Sequence, residues 1–193
     1  MDAPHHGRLK NPERTRADLL AELDAYRPAD GRERGMADEV AAFVRAHHEC
    51  FERTLTVGHV TASAWVLDTQ RTHALLALHR KLGRWLQLGG HADGDADLRR
   101  VALCEAREES GLMAIRLAAP AIYDIDVHII PARAEEPAHK HYDVRFAFIA
   151  NRAEPTTLSA ESHELAWLPV ASLDAPGVDE SVRRLAQKTA ALR

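Results

Sequence analysis

Three carboxylates, Glu105, Glu108 and Glu109, recur at helical spacing inside a segment that ought to be apolar along one side. From Asp95 to Gly111 the residues read as one helix, with an Asp available to cap its start and a Gly placed to end it. Leu98, Val101, Ala102 and Leu112 make one stripe of that helix, Glu105 and Glu109 fall inside the stripe, and Glu108 lies on its flank. Arg99, Arg100 and Arg107 project sideways or away, so no basic residue of the helix neutralises the acids. The last turn of a helix already carries partial negative charge, which disfavours carboxylates there. A hard divalent cation such as Mg²⁺, shared among carboxylates, waters and phosphate oxygens, offsets that charge. Taken alone, acids three and four apart describe a solvated helix face better than a site; their coincidence with Gly89-Gly90, Gly111 and the apolar stripe reverses that and favours the metal.

The residues before the helix sharpen the reading. Arg84 to Leu88 reads as a short strand leading into a Gly89-Gly90 loop, where backbone can approach a ligand without a side chain intervening. The order strand, Gly-Gly, capped helix, acidic cluster resembles the Nudix hydrolases, whose signature runs G, five residues, E, seven residues, R-E-U-x-E-E-x-G-U, with U aliphatic. Here the register is Gly90, then Cys104-Glu105-Ala106-Arg107-Glu108-Glu109-Ser110-Gly111-Leu112. The signature's first Glu falls on Ala96, beside Asp95, and its Arg on Cys104. The resemblance implies an α/β fold, an α/β/α sandwich around a mixed β-sheet. It implies hydrolysis of a phosphoanhydride bond in a nucleoside diphosphate linked to another moiety, with Mg²⁺, or Mn²⁺ in its place, as cofactor. Glu105, Glu108, Glu109 and the Gly89 carbonyl are then the metal ligands. Glu105, Glu108 and Glu164 are the catalytic candidates, Glu108 or Glu164 taking the proton from water; Glu161 belongs to the same acidic group as Glu164. Two rival classes remain: an isopentenyl-diphosphate-isomerase-like enzyme, whose Cys-Gly-His is Gly89-Gly90-His91 here, and a Nudix-like nucleotide-binding module without turnover.

A second constellation lies outside the signature. Strand alternation puts His139, His141, Asp143 and Arg145 on one face, and Asp124, Asp126 and His128 together on the preceding strand. If the two strands pair as a hairpin across 131–136, the polar stripes adjoin. Such a patch suits a phosphorylated ligand with Arg145 as a fork-shaped donor, or an additional metal on the His-x-His pair, or it is a solvated sheet face. Gly90 and His91 join His139, His141, Asp143 and Arg145 as candidate substrate-binding residues, and His91 could equally ligate metal or only shape its loop.

These sites need a scaffold, and the rest of the chain supplies its elements. Residues 1–55 read as an N-terminal helical extension packed on the core, with Leu19, Leu20 and Leu23 in one helix and Val40, Phe43, Val44, His47 and Phe51 in another, separated by Pro28 and Gly31. Residues 56–193 read as the catalytic domain: strands at 59–67, 72–79, 122–130 and 141–150, a short strand at Trp167-Leu168, and a last helix after Pro176-Gly177 burying Val182, Leu185 and Ala186. With 193 residues, 46% hydrophobic and 28% charged, the chain can bury an ordinary core. Its net charge of -4, without a basic block, argues against a nucleic-acid partner. No apolar run has the length of a membrane span and no signal-peptide core opens the chain, so the expected location is cytoplasmic and the expected partner a small-molecule diphosphate. Cys50 and Cys104 read as reduced thiols; His5, His6, His47 and His48 as carrying no chemistry; a homodimer is left open.

Overall fold

A computed structural model describes residues 11, 13–133, 136–160, 162–175 and 178–192; His5, His6, Glu161, Pro176 and Gly177 lie outside them. Two helices come first, α1 (Arg16–Ala25) and α2 (Gly31–Ala46). Thr15 and Asp18 cap α1 reciprocally, each side chain accepting the other's backbone N–H, and Asp30 caps α2 by accepting from the Glu33 N–H. The strands are β1 (Gly58–Asp68), β2 (His73–His79), β3 (Arg84–Leu86), β4 (Leu88–His91), β5 (Arg116–Leu117), β6 (Asp124–Ile130), β7 (His139–Ala150) and β8 (Ser162–Pro169), with α3 (Leu98–Ser110) before β5 and α4 (Glu180–Thr189) last.

All eight strands belong to one mixed sheet. At its centre β1 and β7 run parallel and in full register, from Gly58 opposite Lys140 to Asp68 opposite Ala150. Every residue of β1 is buried, as expected of a parallel strand covered on both faces. One edge of β1 pairs with β2 through Val66 and Leu67 and with β4 through 61–64, while β7 carries β6 and β5 on its other edge.

Alternation assigns the two faces. On one, Val60, Ala62, Ala64, Val144, Phe146 and Phe148 join Leu19, Leu23, Val40 and Val44 of α1 and α2 and Val101 of α3 in a single core. The Phe43 ring stacks on Tyr142 at 3.9 Å, so the N-terminal helices share the sheet's own core. On the other face Trp65, Leu67, Leu76 and Ile149 pack with Val182, Leu185 and Ala186 of α4. The result is the expected α/β/α sandwich. The hairpin register also follows the alternation: Asp124, Asp126 and His128 stand opposite Arg145, Asp143 and His141. Among the described residues no helix is long and apolar enough to cross a membrane.

Three details differ from the sequence reading. β8 extends well beyond Trp167-Leu168, because it pairs with β2 along most of that strand's length. The two-residue β5 carries no local pattern and exists through pairing with Ile149 and Phe148 of β7. Gly89 and Gly90 are not a loop: they lie in β4, opposite Ser63 and Ala62 of β1.

Where α4 covers the charged part of the sheet, Arg145, 1% exposed, is enclosed by carboxylates. Its Nε donates to Asp143 at 2.7 Å, and its terminal nitrogens stand 3.3 Å from both Asp124 and Asp126. Arg184 adds bonds of 2.9 Å to Asp124 and 2.8 Å to Asp126, and Lys188 reaches Asp124 at 3.0 Å and also engages buried Glu33. Burial alone would raise the Asp124 and Asp126 carboxyls. The Arg184, Arg145 and Lys188 charges reverse this at Asp124, and the His128 hydrogen bond with the Arg145 and Arg184 charges reverses it at Asp126, so both are held well below the usual carboxylate range. Their contribution to stability is present above the unfolded-state value of about 4 and is lost as pH falls below it. Arg184→Met should destabilise the protein by about 3 kcal/mol in urea unfolding at neutral pH. The deficit should narrow as pH drops through about 4, since protonated carboxyls need no cation; a pH-independent deficit would show that Arg184 acts through packing alone.

Candidate active site

The acidic helix is cut to length by its ends. Asp97 starts α3 by accepting from the Arg100 N–H at 3.2 Å, and Gly111, at φ 73°, stops it while donating to the Arg107 carbonyl at 2.8 Å. Leu98, Val101, Ala102 and Ala106 are buried along one stripe, and Glu105 is buried with them at 5% exposure. Its carboxylate lies against Gly90, in the space that a Cβ on that residue would fill. Glu109, half-buried, accepts from the Gly89 N–H at 2.8 Å, and Glu108 is exposed. Two of the three carboxylates therefore hold the Gly-Gly backbone directly. This is the physical reason that the pair sits in a strand: a side chain at Gly90 would displace Glu105, and one at Gly89 would meet Ser63 and the Ala62 carbonyl.

Two of the helix's arginines are engaged elsewhere. Arg99 pairs with Glu22 and donates to the Pro120 carbonyl, and Arg100 pairs with Asp95. Asp95 is buried and also accepts from the Asp97 N–H at 3.0 Å, so it braces the turn before α3 rather than joining the three glutamates. Ala96 packs against the core, and Cys104 is half-buried.

On the opposite face of the sheet a cavity of about 1150 Å³ opens between the ends of β1, β4, β6 and β7 and the loop before α4. Gln87, His91, His128, His139 and His141 stand on its walls, while Arg53, Lys81, Arg84 and Arg133 bring positive charge to it. Its described lining does not include Glu105, Glu108 or Glu109. Strand register gathers the imidazoles: His59 lies beside His141, His128 opposite His141, and Thr61, two residues from His59, opposite His91. Ring centroids are 4.8 Å apart for His59 and His141, 5.0 Å for His59 and His91, and 5.2 Å for His139 and His141. Burial, and then the neighbouring His91, His59, His128 and His139 rings, push the His141 imidazole down to about 2. Burial and His139 lower His59 in the same direction.

Of the residues singled out from sequence, Glu105, Glu109, Gly89 and Gly90 are brought together, with exposed Glu108 on the same helix. His91, His139 and His141 meet in the cavity. Arg145 and Asp143 have a different use from the expected phosphate fork. Asp143 is buried, accepting from Thr61 at 3.0 Å and Ser63 at 2.8 Å as well as from Arg145, and the guanidinium is enclosed by protein carboxylates. Glu164 is exposed on β8, opposite Leu78. His59 was missed; its signal is the alternation of His59, Thr61 and Ser63 along β1.

A family model described as the NUDIX domain matches residues 57–188. No curated protein matches the sequence at a significant level. Among solved structures, a NUDIX-family hydrolase from Clostridium perfringens superposes with a TM-score of 0.53 at 24% identity, covering 70% of this chain and 98% of that one. An Ap4A hydrolase from C. elegans, in a binary complex, gives 0.54 at 15% identity over 68% and 95%. A Nudix hydrolase from M. smegmatis gives 0.52 at 19% identity over 70% and 89%.

The glycine geometry can be tested without any substrate. Gly90→Ala should destabilise the protein by about 1–3 kcal/mol, because the methyl group displaces a buried carboxylate. Gly35→Ala, on an exposed turn of α2 with open space around it, should instead stabilise by up to about 1 kcal/mol. Thermal and urea unfolding of the two variants check this, and a neutral Gly90→Ala would mean that Glu105 does not occupy that space.

Proposed function

The chain belongs to the Nudix family, and from the carboxylates it gathers around Gly89-Gly90 we propose that it is a pyrophosphohydrolase that cleaves the phosphoanhydride of a nucleoside diphosphate linked to a second moiety, with Mg²⁺ or Mn²⁺ as cofactor. The observation that carries this reading is the burial of Glu105 against Gly90 with Glu109 fixed by the Gly89 N–H. An all-oxygen donor set in a cradle that a methyl group would fill suits a hard dication, and Arg99 and Arg100 are occupied by other acids. When bound, such an ion neutralises diphosphate oxygens and lowers the pKa of a water.

The protein's own part is positioning and proton transfer. Glu105, Glu108, Glu109 and the Gly89 carbonyl would hold the ion. The Gly89 N–H orients Glu109, so that ligand is preorganised rather than recruited. Glu108, the most exposed of the three, takes the proton from water; Glu164 is the alternative base, and the same kinetic assay separates them. Gly89 at the position of the isomerase cysteine argues against that rival chemistry.

A panel of nucleoside diphosphate conjugates with Mg²⁺ or Mn²⁺, scored for release of mononucleotide or phosphate, tests the reading. Glu109→Gln should lower kcat by about 10²-fold or more while its urea midpoint stays near that of the parent. Undiminished turnover in that variant would remove the proposed site.

A further inference from the structure

Hydrolysis at the glutamates leaves the histidines of the cavity unexplained. We propose that His59, His139 and His141 form a three-nitrogen site for a borderline divalent transition metal, Zn²⁺ in the first instance, distinct from the glutamate site and with an open coordination position facing the cavity.

The donor atoms already converge. One ring nitrogen from each of the three histidines lies within 4.8 Å of the other two. Nε2 of His59 and Nε2 of His141 are 3.1 Å apart. Two imidazole nitrogens on one tetrahedral Zn²⁺, each about 2.0–2.1 Å from the ion, stand about 3.4 Å apart, so this pair has close to the spacing of ligands on a shared ion. The residues come from the paired strands β1 and β7, whose register fixes their backbones.

An outer hydrogen bond sets the tautomer of His139. Nδ1 of His139 lies 2.9 Å from the Pro137 carbonyl. A carbonyl can only accept, so Nδ1 carries the proton and Nε2 keeps its lone pair. His128, its ring 5.4 Å from that of His141, is held in the same way, with Nδ1 3.1 Å from an Asp126 carboxylate oxygen. Imidazoles backed by a carbonyl or a carboxylate are the usual form of metal-ligating histidine, and His128 stands beside the three as a further donor. Nitrogen donors select Zn²⁺ and its neighbours over Mg²⁺. Three protein ligands leave a position for an oxygen of a molecule in the cavity.

The test uses the full chain with His5→Ala and His6→Ala, so that the terminus contributes no imidazole. The protein is stripped with a chelator and dialysed against Zn²⁺ or Co²⁺ in excess Mg²⁺. One equivalent should be retained through gel filtration, and Co²⁺ should give visible absorption bands of a nitrogen-ligated ion. His141→Asn should abolish retention, and His139→Ala, at a half-buried position near the strand end, should weaken it at least about tenfold; circular dichroism verifies the fold of each. Glu105→Gln and Glu109→Gln should retain the ion unchanged. The proposal is overturned if the parent retains no ion, if His139→Ala and His141→Asn together leave retention intact, or if the glutamate variants lose the ion. Metal content and cobalt absorption are independent of turnover, so failure here leaves the hydrolase reading standing, and failure of the substrate panel leaves this site standing.

Discussion

Strand β4 can lie beside β1 and against α3 only because two consecutive residues of it have no side chain. At Gly90 the missing Cβ is replaced by the Glu105 carboxylate, and at Gly89 by close contact with Ser63. This close approach demands small residues on the facing helix, and Ala102 and Ala106 supply them beside Glu105. A charge at a core position would by itself cost several kcal/mol. The helix accepts that cost at the one turn where its acids reach the strand's backbone, and this is why a stripe with good apolar residues on both sides is interrupted there.

The opposite face is governed by a second balance, between charges that are enclosed and groups left open. In α4, Ser181, Arg184 and Lys188 recur at the spacing of one helix face, beside the buried Val182 and Leu185. The helix thus covers the apolar half of the sheet with one stripe and the aspartates of β6 and β7 with the next. Arg145 is decided by magnitude. Withdrawing it to meet an external phosphate would take a cation away from three buried carboxylates at once, each interaction being worth about 4 kcal/mol at contact distance. No exposed anion competes with that, so the guanidinium is a strut. The cavity is closed at the Arg145 end and open where the stripe turns to histidine.

Much of this was legible in local sequence. The helical period exposed Glu105 as an acid in an apolar stripe, the Gly111 stop set the end of α3, and two-residue alternation gave both polar stripes and their pairing across the hairpin. What was not legible depended on partners distant in sequence. His59 joins His141 through the parallel pairing of β1 with β7, 82 positions apart, and such pairing leaves no trace in either segment. The fate of Arg145 was hidden for the same reason, since Arg184 and Lys188 arrive from the last helix. Gly89-Gly90 was read as a loop because glycine disfavours strands intrinsically; tertiary packing against Ser63 and Glu105 overrides that preference.

The chemical character of the cavity wall follows from how closely its rings pack. Like charges 5 Å apart cost about 3 kcal/mol per pair at an effective dielectric of 20, so clustered lysines or arginines could not share this space. Imidazoles can, because burial and the neighbouring rings push His141 and His59 toward the uncharged form. Two permanent cations of the lining are held by acids of their own: Arg53 to Asp93 by two 2.6 Å bonds, and Arg84 to Asp179. Between the imidazole wall and the acidic helix lies a single strand, with Gly90 turned to Glu105 and the next residue, His91, within ring contact of His59. Donors of opposite hardness thus occupy the two faces of one strand.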